Sequence, residues 1–358
     1  MTHRIPPFWR VIASGTAALI VAAGPAIAQT SLAAKPAAAK SANATAIPRL
    51  ADGHPDLNGI WTNVTITPLE RPRDLAGKEY LTEEEAAAYE KLSVQQRNKD
   101  QRERGTDRDV ANAYNDFWWD SGTKVVKTRR TSIVIDPPDG RIPALTPERQ
   151  QLLAARREAT RRRCQQPGCE LENGGQPGLA DGPEDRPLQE RCLSFGNATP
   201  MLPTAYNNNY QFVQSPNYLV VNVEMVHDVR RIPLDGSPHL PQNIRQWMGD
   251  SRAHWQGDTL VIDTTNFADE QIARFGTDKN LHLVERLTLA DPNTLVYRFT
   301  VDDPTVFTKP WTGEIPMVRS EGPLYEYACN EGNEGLANIL ASARADEKAG
   351  QIVAPSNR

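Results

Sequence analysis

The chain has 358 residues, with 40 Lys and Arg against 45 Asp and Glu, a net charge of −5 and a hydrophobic share of 39%. That length can bury a full core. The apolar and charged shares exclude a disordered polymer and an integral membrane protein, and the acidic balance removes electrostatic grounds for nucleic acid or anionic membrane as a partner.

Residues 1–28 read as a signal peptide. Arg4 and Arg10 make a basic start, 11–23 is apolar and small, and Ala26-Ile27-Ala28 is a small-x-small cleavage site. The run is short for a membrane span; an uncleaved anchor is the alternative. A periplasmic or secreted protein is expected, with no membrane span after leader removal. Residues 29–47, mostly Ala, Lys, Ser and Thr, read as a flexible linker. One folded domain is expected over 48–358, with helical or loop excursions at 82–108 and 146–190.

Thr82-Glu83-Glu84-Glu85 has capping-box spacing and opens a helix through 86–96. Thr146-Pro147-Glu148 opens a second, running toward Arg163. Residues 165–187, rich in Gly, Pro and acids, read as a long loop. A third helix is expected from Asn333, with Leu336, Ile339, Leu340 and Ala343 on one face. Elsewhere short strands alternate with turns: 131–136, 210–213 with 218–226, 252–255 with 259–264, 281–289 with 294–301, and 311–318 with 324–329. No βαβ rhythm is present. The expected class is therefore mainly β, an antiparallel barrel with a few peripheral helices.

Cys164, Cys169, Cys192 and Cys329 are even in number, and export makes two disulfides the expectation. Three pairings exist. Gln165-Gln166-Pro167-Gly168 is a turn that can close Cys164 on Cys169, leaving Cys192 for Cys329.

Several strand faces are mixed: Tyr218, Val220, Asn222 and Glu224 on one, His282, Val284, Arg286 and Thr288 on another. Such faces suit the wall of a wet cavity; a solvated outer face with cross-strand ion pairs is the alternative.

Three runs carry candidate chemistry. In 114–120 the adjacent Trp118 and Trp119 sit in a polar stretch, which fits a wall for an apolar or aromatic substrate or a plug at a barrel end. Arg130 follows shortly. In 224–231, His227 ends an apolar strand face beside Glu224, Asp228 and Arg231, the residue types of an acid or base with its helper and a charge stabiliser. A turn is required before Asp228 can orient His227, and a His satisfied by a backbone carbonyl is the alternative. In 206–210, Tyr206, Asn207 and Tyr210 can hold an oxyanion or a substrate. No HxH, HExxH, GxSxG, P-loop or dinucleotide fingerprint occurs, so neither metal nor cofactor is expected.

Pro55-Asp56-Leu57-Asn58-Gly59-Ile60-Trp61 contains Gly-x-Trp, which resembles the entry motif of lipocalin-like barrels. Together with Ile135-Asp136-Pro137-Pro138-Asp139-Gly140-Arg141, Glu190-Arg191-Cys192 and the stretches 225–249, 255–267 and 311–340, the chain resembles a broad family of exported bacterial β-rich proteins. The resemblance implies a fold and carries over no catalytic residues. Two functions are expected to compete. One is a cofactor-independent lyase, isomerase or hydrolase acting on a small apolar or aromatic compound in a barrel cavity, with His227 shuttling the proton, Asp228 or Glu224 helping, Arg231 or Tyr210 stabilising charge, and Trp118 and Trp119 holding the substrate. The other is a lipocalin-like carrier of a hydrophobic small molecule, without catalysis.

Overall fold

In the computed structural model the described residues are 46–98, 105, 120–171, 176–196, 198–268, 277 and 279–353, all within the second of the chain's two units, Asn43–Arg358. Among the described residues twelve strands and three α-helices follow one another. They are β1 (Gly59–Thr62), α1 (Glu83–Arg97), β2 (Val134–Asp136), α2 (Pro147–Arg163), β3 (Cys169–Leu171), β4 (Pro177–Leu179), β5 (Asn209–Gln214), β6 (Tyr218–Val223), β7 (Val229–Pro233), β8 (Asp250–Gln256), β9 (Thr259–Thr265), β10 (His282–Asp291), β11 (Thr294–Asp302), β12 (Trp311–Ser320) and α3 (Glu334–Ala349).

The fold is mainly β and antiparallel. The large sheet runs β7-β6-β5-β1-β12-β11-β10-β9-β8, with β2 added beside β12, and β3 pairs with β4 alone. Two meanders, β5 to β7 and β8 to β12, are thus joined through β1. The ladder is open: among the described residues no hydrogen-bonded register joins β7 to β8, so the closed barrel expected above is not present. The sheet nevertheless curls. Arg230 of β7 reaches Glu285 of β10 at 2.5 Å, although those strands stand six places apart in the ladder, and Cα atoms of the two edges approach within 8 Å.

Burial alternates along the strands as a pleated sheet with one covered face requires. Leu219, Val221 and Val223 of β6 and Leu295, Tyr297 and Phe299 of β11 are fully buried. These rings and branched chains fill the concave face themselves. The mixed faces point outward, where Arg298 pairs with Glu314 at 2.6 Å and Thr300 meets Thr312 at 2.9 Å. Solvated cross-strand pairs account for the polar residues of β10 to β12, while Asn222 and Glu224 line a small hollow.

The Gly-x-Trp segment is the keystone of the sheet. Trp61 is wholly buried, its Nε1 donates to Leu57 O at 2.9 Å, and the Arg319 guanidinium lies 4.3 Å over its ring. Arg319 Nη1 donates to Asn58 O at 2.8 Å. Gly59 has φ +129°, and a Cβ there would collide with that same guanidinium, so both conformation and space demand glycine.

The three helices form where their caps lie. Thr82 and Glu85 make the reciprocal capping box, Thr146 caps α2 ahead of Pro147, and Asn333 accepts from Leu336 N at 3.2 Å. On α3, Ala343 is buried and Leu336, Ile339 and Leu340 are half-buried. The 165–187 loop contains the β3–β4 hairpin, closed at its base by Cys164–Cys169. The second disulfide, Cys192–Cys329, spans 137 residues. It explains one difference from expectation: 324–329 is not a strand, because Cys329 draws this segment to Cys192 instead of back along β12. Among the described residues no helix is long and apolar enough to cross a membrane.

Candidate functional site

The β5–β6 hairpin closes where Glu224 N donates to Asn209 O at 3.0 Å. The chain then turns sharply toward β7. Val226 (φ +59°) and His227 (φ +47°) are consecutive left-handed residues, a conformation costly for a β-branched valine and characteristic of functional turns. The turn is locked by Val223 N donating to Asp228 O at 2.8 Å and by the burial of Met225 and Val226. It ends β6 three residues before the expected 226 and projects His227 into solvent.

His227 Nδ1 lies 3.1 Å from Tyr327 O. A carbonyl can only accept, so Nδ1 carries the proton and Nε2 keeps a free lone pair. The backbone-carbonyl alternative is therefore realised, in a form that leaves one ring nitrogen available. Asp228 faces the other way, where its Oδ2 accepts from Ser194 Oγ at 3.0 Å. Burial pushes the Asp228 carboxyl up to about 6, against the opposing effects of Ser194 and His227. Asp228 thus feels His227 electrostatically and does not hold it by a hydrogen bond.

Glu224 is buried, with Oε2 accepting from Asn209 Nδ2 at 2.8 Å and Asn209 N at 3.2 Å. It lines a hollow of about 300 Å³ with Gln211, Asn222, His227 and Tyr325. Glu224 also acts electrostatically on Asp120, whose backbone is clamped by Asp120 N donating to Ala205 O at 2.8 Å and Asn208 Nδ2 donating to Asp120 O at 2.7 Å. The Asp120 side chain reaches solvent at the edge of a cleft of about 760 Å³. The surrounding protein raises its pKa by burial, and Glu224 adds to the rise. The cleft lies between α1, the strand-free segment after β1 and the 202–205 loop, with Leu69, Ile133 and Leu202 on its apolar side and Thr65, Thr67 and Arg97 on its polar side.

Of the expected site residues, Glu224 and His227 line the smaller hollow, Asp228 turns from it to Ser194, and Tyr206 meets Tyr327. Burial and the neighbouring Tyr327 raise the Tyr206 phenol, and the two hydroxyls share a hydrogen bond. Asn207 is a left-handed turn residue at φ +55°. Tyr210 is a core residue: its OH accepts from Asn63 Nδ2 at 3.3 Å. Arg231 lies 4.2 Å over the Tyr218 ring. Arg130 pairs with Glu79 at 2.6 Å and covers the Tyr80 ring. Trp118 and Trp119 lie outside the described residues.

Sequence reasoning passed over Asp120, Ser194, Tyr327 and Asn208 as site residues. A signal existed for three of them. Asp120 follows the Trp pair, and Ser194 and Tyr327 each stand two residues from a cysteine of the long-range disulfide.

No protein-family model, curated protein or solved structure matches this chain. Its function has to be argued from the site.

Proposed function

We propose that the protein is an exported, cofactor-independent enzyme, a lyase, isomerase or hydrolase, that carries out acid–base chemistry on a small apolar or aromatic molecule in the Asp120 cleft. The observation that carries this reading is the carboxyl pair Asp120 and Glu224. One carboxyl stands at a cleft mouth with its pKa raised, and the other is buried and bonded to Asn209. A carboxyl with a raised pKa at a cleft mouth is suited to act as a general acid. His227, with Nε2 free on the far side of Glu224, supplies a second proton carrier. The cleft volume falls in the range of small-molecule sites.

Export is supported by the leader-like 1–28 and the two disulfides. A lipocalin-like, barrel-related origin is supported by the Gly59–Trp61 entry and by the curl of the sheet.

The test is turnover of a panel of plant-derived phenolics and terpenoids by wild type, Asp120→Asn and His227→Ala. General acid–base groups contribute about 10²–10⁴-fold, so Asp120→Asn is expected to lose at least a hundredfold. Binding without turnover in wild type rejects the enzyme and supports the carrier. Full activity in Asp120→Asn removes Asp120 from the chemistry.

A further inference from the structure

Arg97 closes α1 and lines the large cleft. Its guanidinium is held in place by neutral acceptors: Nε donates to Ser93 O at 3.3 Å, Nη1 to Ser121 Oγ at 2.7 Å and Nη2 to Gly122 O at 2.9 Å. Three of five N–H donors are used. Among the described residues no carboxylate pairs with it. Asp120 lines the same cleft, yet its raised pKa reflects burial and Glu224, with no share from Arg97. The cleft therefore contains a positioned, half-buried cation that no carboxylate of the described residues neutralises. The same cleft is lined by the apolar side chains of Leu69, Ile133 and Leu202.

We propose that the ligand of this cleft is a small amphiphilic carboxylate, its anionic end on the Arg97 fork and its hydrocarbon or aromatic body on the Leu69–Ile133–Leu202 wall. Guanidinium–carboxylate pairs form charge-assisted, often bidentate hydrogen bonds, and their strength grows where water is partly excluded. This assignment rests on the reading of the cleft as the substrate site and narrows its substrate class. It also gives the two charged groups of the cleft separate tasks: Arg97 anchors the end of the ligand that does not react, and Asp120 faces the part that does.

Phenylacetate and its neutral counterpart 2-phenylethanol are the probes, titrated by calorimetry into the full chain. Wild type is expected to bind phenylacetate at least tenfold more tightly. Arg97→Met is expected to remove that preference while leaving 2-phenylethanol unchanged, and Arg97→Lys to restore part of it. Thr123→Trp, at an exposed position on the lining, is expected to weaken both probes. Equal binding of the two probes by wild type, or a preference unchanged in Arg97→Met, overturns the carboxylate assignment and leaves the cleft reading standing. Undiminished binding in Thr123→Trp overturns the location. Failure of wild type to bind either probe removes both the assignment and the reading beneath it. If Arg97→Met does not fold, as judged by thermal unfolding, Arg97→Lys and Thr123→Trp still decide the matter.

Discussion

Two polar clusters in this molecule are built from the same residue types to opposite ends. On the concave face, Arg230 donates to Glu285 from both Nη atoms, at 2.5 and 3.0 Å, and Glu285 also accepts from Tyr297 OH at 2.7 Å. Tyr297 OH in turn accepts from Met201 N at 3.0 Å, and Arg230 donates to Ala198 O at 3.0 Å. Every charge there meets its opposite, and the cluster pins the 198–202 loop against three strands. At the rim, Asp120, Glu224 and Asp228 have no cation in a salt bridge among the described residues, and burial pushes two of them up. The buried cluster stores its charges against one another. The rim leaves Asp120 and Asp228 with raised pKa values.

The largest expected effect breaks the inner cluster. Glu285→Gln removes the counter-charge of a fully buried Arg230 and should cost about 3–5 kcal/mol in urea unfolding. The double variant Arg230→Met/Glu285→Leu should recover most of that loss, because an apolar pair incurs no desolvation penalty. A double variant as unstable as the single one breaks the view that the pair is structural.

Next comes the long-range disulfide. Replacing Cys192 and Cys329 by Ser should cost about 2–5 kcal/mol. Freeing the segments around Ser194 and Tyr327 should also expose the Asp228 carboxyl to water and let it fall back toward its ordinary range, followed by carboxyl NMR, because burial raises it more than the Ser194 bond lowers it.

Asp228 itself gives a smaller, pH-dependent effect. Its folded pKa of about 6 lies above the unfolded value, so its favourable contribution is complete in acid and is lost as pH rises through about 6. Asp228→Asn, which keeps an acceptor for Ser194, should gain thermal stability over wild type at pH 7.5 and none at pH 3.5. An advantage that does not change with pH would detach the rim from titration altogether.

The smallest effect belongs to the outer face. Arg298 and Glu314 are exposed to solvent at one partner, and Arg298→Ala should move stability by no more than about 1 kcal/mol, less in high salt.

The strand ladder was legible because period-2 burial and turn residues are local signals. In Tyr218 to Val223 the burial alternates, with Leu219, Val221 and Val223 turned inward. The disulfide pairing was legible from one tight turn. The site was only half so. Glu224, His227 and Asp228 were visible as a run, but two left-handed residues change where they point, and nothing in Val226-His227 announces them. Arg231 was given a role by proximity in sequence, yet the strand places it on the outer face while Arg230, its neighbour, turns inward. Asp120 gains its character from burial and from Glu224, over a hundred residues on, and no local pattern reports either.

The position of β1 bears on the order in which the protein assembles. β5 to β7 and β8 to β12 are meanders of adjacent hairpins, and each can form from neighbours in the chain. β1 has no sequence-local partner. It pairs with β5 and with β12, and the bond from Arg319 to Asn58 spans 261 positions. The first strand made is therefore among the last to be seated. Until β12 exists, Trp61 has no Arg319 to cover it, and the two half-sheets have nothing between them. Contacts this distant slow folding. They also tie completion of the domain to completion of the chain, so a product cut short before β12 retains its hairpins and lacks the strand that joins them.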